Sequence, residues 1–90
     1  MEIIILDCRR LTGREEAHAY LARTLRLPPY YGRNLDALAD CLGMFGEDIY
    51  IVLQHAAALR QSEDDYGSRI LEVFREMAAI PAAFTLIEKE

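Results

Sequence analysis

The feature that most constrains the fold is the alternation of short apolar runs with segments of helical periodicity. Glu2 to Leu6, Asp48 to Gln54 and Ala82 to Glu88 have strand length and are rich in β-branched and large apolar residues. Strands separated by long connections pair in parallel through right-handed crossovers. The sequence therefore predicts an α/β fold, with a small three-stranded parallel sheet packed with about four helices.

The first apolar run is nearly continuous, which predicts a strand buried on both faces. The next segment opens with Thr12 and Glu15 at the spacing of a capping box, and helical periodicity runs from Gly13 to Pro28. Proline fixes φ and forces the residue before it out of the α region. The Pro28–Pro29 pair is therefore expected to end the first helix.

The second connection is less regular than the first. Residues 55–61 are rich in alanine, which predicts either a short helix or one turn and a loop. Ser62 to Gly67 is polar and acidic and predicts a surface connection. From Ser68 to Ile80 apolar residues recur at intervals of three and four, which predicts a core-facing helix that Pro81 ends.

Residues 27–42, LPPYYGRNLDALADCL, are the most informative stretch of the chain. Tyr30 and Tyr31 follow the proline pair on a stiff segment, where each is either an interface anchor or a packing residue. Gly32 is expected to supply a turn, and Asn34 is a good N-cap for the helix that follows. The stretch predicts a rigid loop that leads into a short helix.

The short helix is predicted to be amphipathic. Leu35, Leu38 and Leu42 recur at i, i+3 and i+7 and form one apolar stripe. Gly43 is placed to end the helix as a C′ residue. One face of this helix is therefore expected to pack on the core.

Asp36 and Asp40 lie one turn apart on another face of the same helix. Like charges at this spacing oppose helix formation by roughly 0.2–0.5 kcal/mol, which the helix dipole partly offsets for Asp36. The pair is either a solvated acidic surface or a negative surface directed at a basic partner. A third interpretation, an acid/base pair or a divalent-cation site, lacks the enclosing pocket that such chemistry needs.

Composition narrows the class of function. The 90 residues suit one domain, residues 1–90, and the net charge of −5 argues against direct binding of nucleic acid or an anionic membrane. The N-terminus has no basic segment and only a short apolar run, so we expect a cytoplasmic protein. Cys8 and Cys41 are expected to be reduced, and neither cysteine has a histidine at zinc-ligand spacing. No catalytic motif is present, and the sequence predicts a protein that is not an enzyme and needs neither a cofactor nor a metal. It does not determine the oligomeric state, and a monomer is favoured.

The residues 27–42 resemble the signature stretch of the barstar family of intracellular ribonuclease inhibitors, and VFRE at Val73 to Glu76 resembles a second segment of that family. The resemblance implies a bacterial immunity-type protein that blocks the active site of a basic, secreted, barnase-like ribonuclease. Asp40 would mimic a substrate phosphate, Asp36 would meet basic residues at the rim, and Tyr30 would pack against the catalytic region. Barnase and barstar are themselves the usual example of association steered by complementary charge.

The resemblance also implies the remaining contacts. Glu76 would add a peripheral ion pair, and Phe45 could partly replace a tryptophan of the family. Ala39 stands where the family has another tryptophan, and Arg33 and Ile80 replace acidic residues, so the cognate enzyme is expected to differ from barnase. An alternative partner is a different basic protein toxin. The predicted partner-binding residues are Tyr30, Gly32, Asn34, Leu35, Asp36, Ala39, Asp40, Gly43, Phe45 and Glu76.

Overall fold

A computed structural model of the chain describes residues 1–61 and 66–90. Its sheet is parallel, with the strand order β1-β2-β3, where the strands are β1 (Glu2–Asp7), β2 (Ile49–Gln54) and β3 (Thr85–Glu88). The helices in the described residues are α1 (Arg14–Thr24), α2 (Leu35–Leu42), α3 (Ala57–Arg60) and α4 (Tyr66–Ala78). The predicted α/β fold, a three-stranded parallel sheet with four helices, is confirmed.

The two faces of the sheet differ in burial. The chain moves in one direction across the sheet, so right-handed crossovers place both connections on the same face. Leu6, Ile51 and Leu53 on that face are fully buried, whereas Ile3 and Ile5 on the other face of β1 are 57% and 51% exposed. The prediction that the first strand is buried on both faces is wrong. β1 is an edge strand with one open face in the described structure, and a β-branched run alone does not reveal strand order.

The first helix starts differently from the prediction. The hydroxyl of Thr12 donates back to the carbonyl of Arg9 at 3.5 Å and does not cap the helix. Gly13 is the N-cap residue and has no side chain with which to cap. The predicted capping box of Thr12 and Glu15 is therefore wrong, because Thr12 lies one residue too early.

The end of α1 also precedes the proline pair. Arg26 adopts a left-handed conformation with φ of 54°, and the amide of Leu27 donates to the carbonyl of Ala22 at 2.9 Å. This is the hydrogen bond that closes a helix C-terminus in a Schellman motif, usually with glycine at the left-handed position. The helix therefore ends at Thr24, and Pro28 only stiffens the loop that follows.

The fourth helix begins earlier than predicted. Tyr66 and Gly67, assigned from sequence to a polar surface connection, are buried in the first turn of α4. The rest of that predicted connection, residues 62–65, lies outside the described residues. Tyr66, Ile70 and Phe74 follow one another at i, i+4 and i+8. This spacing extends the predicted helix back to Tyr66. α3 confirms the short helix rather than the loop among the two alternatives for residues 55–61.

The last strand is shorter than predicted because the chain turns immediately before it. Ala82 has φ of 66°, and Ala83 forms an isolated antiparallel bridge with Gly46. Parallel pairing with β2 then begins at Thr85. At the other end of the strand, Glu88 accepts two hydrogen bonds of 2.8 Å from Arg75, which ties α4 to the sheet.

Candidate functional site

The loop between α1 and α2 separates the two adjacent tyrosines. The amide of Tyr31 donates to the carbonyl of Pro28 at 3.0 Å and closes a tight turn. The two side chains then point in opposite directions, since Tyr30 is 84% exposed and Tyr31 is 8% exposed. Tyr31 is thus a core residue, and Tyr30 remains available to a partner.

A short corner joins this loop to α2, and its geometry differs from the prediction at Gly32. The left-handed residue is Arg33, with φ of 52°, whereas Gly32 does not have a positive φ. A Cβ on Gly32 would lie 3.3 Å from the Cβ of Ala37, so the glycine permits close approach of the loop to the helix. The expectation that Gly32 supplies the turn is therefore wrong, although a small residue is needed there.

Asn34 is the N-cap of α2, as predicted. Its side-chain oxygen accepts a hydrogen bond of 2.8 Å from the amide of Ala37, and its side-chain nitrogen donates to the carbonyl of Gly32 at 3.2 Å. The first bond satisfies a helix amide that has no intrahelical partner. The second bond fixes the corner, so one side chain sets both the start of α2 and the position of the loop before it.

The predicted amphipathicity of α2 is confirmed. Leu38 and Leu42 are fully buried and Leu35 is partly buried, whereas Asp36 and Asp40 are exposed. The carboxylate of Asp40 adds to burial in raising the pKa of the neighbouring Cys41 thiol. The helix therefore presents two carboxylates to solvent from a backbone that is anchored in the core.

Ala39 and Gly43 lie toward the other end of α2. Ala39 is partly exposed between the two aspartates. Gly43 is the C-cap residue with φ of −65°, so it is not the left-handed C′ residue that the sequence predicted. A Cβ at Gly43 would lie 3.2 Å from Cε of Met77, which means that the glycine permits close packing of α2 on α4.

Phe45 and Glu76 lie beside the helix rather than on it. The ring of Phe45 packs edge-on against Phe84, with centroids 6.5 Å apart at 86°, and also lines a cavity of about 270 Å³ with Pro28 and Cys41. Phe45 is therefore partly a packing residue. Glu76 is exposed on α4, next to Met77, and the described contacts do not join it to the two aspartates.

Three buried polar side chains hold the elements around the site together. His18 of α1 is 1% exposed, with Nδ1 2.6 Å from the hydroxyl of Tyr31 and Nε2 2.5 Å from the hydroxyl of Tyr66. A neutral imidazole has one donor and one acceptor nitrogen, so one hydroxyl accepts and the other donates. Burial raises the pKa of Tyr31 far above its ordinary value, which keeps this hydroxyl protonated.

This His18–Tyr31–Tyr66 network was missed in the sequence. Its members are 13 and 48 residues apart, and no local pattern pairs them. One signal was present, because His18, Leu21 and Leu25 recur at i, i+3 and i+7 and place the histidine on the core face of α1. The network fixes the loop that carries Tyr30 relative to both α1 and α4.

No group of three or more histidine, cysteine, aspartate or glutamate side chains in residues 1–61 and 66–90 is arranged to hold a metal ion. Cys8 and Cys41 are free thiols. Within the same residues, no helix is long and apolar enough to cross a membrane.

Comparison with known proteins places the chain in a family. Residues 1–85 match the barstar family, which is described as barnase inhibitors. The chain belongs to the barstar family. A protein of Bacillus subtilis (strain 168) named "Putative ribonuclease inhibitor YrdF" is 39% identical over 77 residues, which cover 84% of this chain and 85% of that protein.

Membership of the barstar family supports inhibition of a ribonuclease as the general function, and it points to an inhibitor rather than an enzyme. The shape and exposure of the described site are consistent with a role in binding. Its exposed groups are carboxylates, a tyrosine and a partly exposed alanine on a helix and loop that are anchored in the core.

Proposed function

We propose that this protein is a cytoplasmic inhibitor of a basic ribonuclease of the barnase type and that α2 and the preceding loop enter the active site of the enzyme. The observation that carries the proposal is the exposed pair Asp36 and Asp40 on a helix that is anchored in the core by the fully buried Leu38 and Leu42. Stability of the fold does not require this pair, since like charges one turn apart oppose the helix. A cationic active site attracts both carboxylates and offsets their mutual repulsion, so the pair stabilises the complex.

The roles proposed for the two acidic residues are those that the family resemblance implies, and the exposure of both side chains supports them. Asp40 is proposed to take the position of a substrate phosphate among the basic residues of the enzyme. Asp36, in the first turn, is proposed to meet basic residues at the rim. Tyr30, on the loop before α2, supplies a large exposed ring with few rotatable bonds, which is a favourable hot-spot residue.

The enzyme is proposed to differ from barnase. Ala39 leaves the surface between the aspartates without a large ring, and Arg33 and Ile80 remove two acidic charges relative to the family pattern. The proposed contact surface is therefore less aromatic and less acidic than the family pattern. We expect a one-to-one complex with a ribonuclease whose rim accommodates these differences.

Titration of purified barnase-type ribonucleases with this protein tests the proposal. We expect stoichiometric inhibition of at least one of them, measured as loss of RNA cleavage. Asp40→Asn preserves the shape of the side chain and removes its charge, and it should weaken binding by at least about 2 kcal/mol, as expected for a central hot spot. Isothermal titration calorimetry gives the affinity and the stoichiometry in the same experiment.

Asp48→Asn is the matched control, because it makes the same chemical change in an exposed turn before β2. We expect it to bind as the wild type does. Equal binding by Asp40→Asn and the wild type would contradict the proposed face. A wild-type protein that inhibits no ribonuclease of this type, yet captures another basic protein through Asp40, would support the alternative of a different toxin partner.

A further inference from the structure

A cluster of three arginines borders the acidic face, and the inhibitory role of Asp36 and Asp40 does not explain it. We call Arg14, Arg33 and Arg69 the arginine cluster. The guanidinium carbons of Arg14 and Arg69 lie 5.3 and 5.9 Å from the ring centroid of Tyr66. Guanidinium groups at such distances from an aromatic ring are attracted to its face. Two positive charges are therefore held beside the same ring.

The arginine cluster is contiguous with the acidic face. Arg14, Arg69 and Tyr66 line a cavity of about 210 Å³, and its remaining lining residues are Asn34, Leu35 and Asp36. The start of α2 thus has carboxylates on one side and guanidinium groups on the other. A partner that covers Asp36 also covers this cavity.

Arg33 joins the arginine cluster from the loop side. It is exposed in a left-handed conformation, and it lines a neighbouring cavity together with Arg14, His18 and two carboxylates, those of Glu15 and Glu16. Burial is the main reason that the pKa of His18 lies below its ordinary value, and the charges of Arg14 and Arg33 add to this effect.

None of the three arginines of the cluster forms a salt bridge with a carboxylate in residues 1–61 and 66–90. Of the six other arginines, Arg23 forms no ion pair within these residues and five do, namely Arg9 with Asp7, Arg10 with Glu16, Arg26 with Glu2, Arg60 with Glu90, and Arg75 with Glu88. This contrast occurs in a protein with a net charge of −5, in which carboxylates are in excess. Among the described residues, the arginine cluster therefore presents guanidinium groups that have no salt-bridge partner.

We propose that the arginine cluster receives an acidic side chain of the ribonuclease, next to the basic centre that Asp36 and Asp40 occupy. This inference rests on the proposed function and adds a second requirement on the partner. The guanidinium fork matches a carboxylate in geometry, and the small cavity suits a single side chain. A nucleic acid fits less well, because it carries a charge on every phosphate, and the phosphates outside the cavity would be repelled by Asp40 in addition to Asp36, whereas a single carboxylate meets Asp36 alone beside two arginines.

Charge reversal tests the inference, with the ribonuclease that the wild-type protein inhibits most strongly as the probe. Arg14→Glu and Arg69→Glu should each weaken inhibition by at least about tenfold relative to Arg23→Glu. Arg23 is exposed at the far end of α1, so its variant carries the same change in net charge away from the site. Arg14→Lys, which keeps the charge, should retain most of the affinity.

A second arm identifies the acidic partner. Acidic residues at the rim of the ribonuclease are replaced by lysine one at a time, and one replacement should restore binding to Arg14→Glu while it weakens binding to the wild type. Circular dichroism verifies that each inhibitor variant is folded. If a glutamate variant does not fold, Arg14→Gln and Arg69→Gln replace it, with a smaller expected loss and with Arg23→Gln as the control.

The failures of the two proposals can be distinguished. Inhibition by Arg14→Glu and Arg69→Glu that equals inhibition by Arg23→Glu overturns this inference alone, because the inhibitor face is then active without the arginine cluster. A wild-type protein that inhibits no ribonuclease overturns both proposals. Binding of a fluorescent single-stranded RNA by the free wild-type protein, lost in Arg14→Glu, would assign the arginine cluster to nucleic acid and would also overturn the inference.

Discussion

At the scale of single residues, Asn34 connects the stability of the fold to the placement of the site. Its side chain caps α2 through Ala37 and holds the corner through Gly32. Asp36 is two residues away, so any fraying of the first turn moves a carboxylate that the proposed function requires to be fixed. The same hydrogen bonds that stabilise the helix therefore also keep the binding face in one conformation.

We expect Asn34→Ala to lower the free energy of unfolding by about 1 kcal/mol, the typical value for loss of an N-cap side chain. The measurement is urea unfolding followed by far-UV circular dichroism. Asn34→Ser is the control, since a serine hydroxyl can accept from the same amide, and it should recover most of the loss. If the alanine variant unfolds at the same urea concentration as the wild type, the cap makes no net contribution.

Residue-scale features of α2 could be predicted because their signals are local. The cap at Asn34 and the buried stripe of Leu38 and Leu42 depend only on the order of a few neighbouring residues. Backbone conformation was less predictable. Left-handed φ values occur at Arg26 and Arg33, and arginine is not a residue type that predicts this conformation. Gly32 and Gly43, which are such residues, permit close packing instead.

At the scale of elements, the His18–Tyr31–Tyr66 network decides how the loop sits against the helices. It joins the middle of α1, the loop before α2 and the first turn of α4 through two hydrogen bonds within the buried region. A buried imidazole is stable there only when it is neutral, because the protonated ring carries a charge out of water. Protonation of one residue therefore acts on three elements.

This network predicts how stability depends on pH. Burial lowers the pKa of His18 in the folded protein, so the unfolded protein, with a histidine pKa of about 6.5, binds the proton first as pH falls. Stability is then constant above about pH 7 and decreases below about pH 6.5, with a slope of at most about 1.4 kcal/mol per pH unit. Urea unfolding between about pH 5.5 and pH 7.5 measures this slope.

Two variants isolate the contribution of the buried histidine. His18→Gln should flatten the slope, even though it lowers stability at every pH through the lost hydrogen bonds. His55→Asn should leave the slope in place, because His55 is exposed in the turn after β2 and asparagine tolerates its left-handed φ of 58°. A slope that survives in His18→Gln would mean that another group causes the pH dependence.

Long-range pairing explains what the sequence did not reveal at this scale. The three strands were found because apolar runs are local, but the open face of β1 depends on strand order, which no single strand encodes. Tyr66 was placed in a surface connection because the residues before it are polar. Its burial depends on a contact with His18, 48 positions away.

At the scale of the whole molecule, charge is distributed unevenly around α2. The protein is acidic overall, with a net charge of −5, and Asp36 and Asp40 project from its surface. The arginine cluster adds a smaller positive region at the start of the same helix. A basic partner is therefore attracted from a distance by the net charge and is oriented at close range by the contrast between the two regions.

If the proposed function is correct, the association rate constant with the ribonuclease will fall by at least about tenfold between about 0.03 M and 0.5 M salt, while the dissociation rate changes far less. The reason is that salt screens attraction at a distance but not between desolvated groups in contact. Stopped-flow fluorescence measures both rates. Asp40→Asn should associate with a weaker salt dependence than Asp48→Asn, although both variants have the same net charge. Equal salt dependence would mean that net charge alone steers association and that α2 has no special part in it.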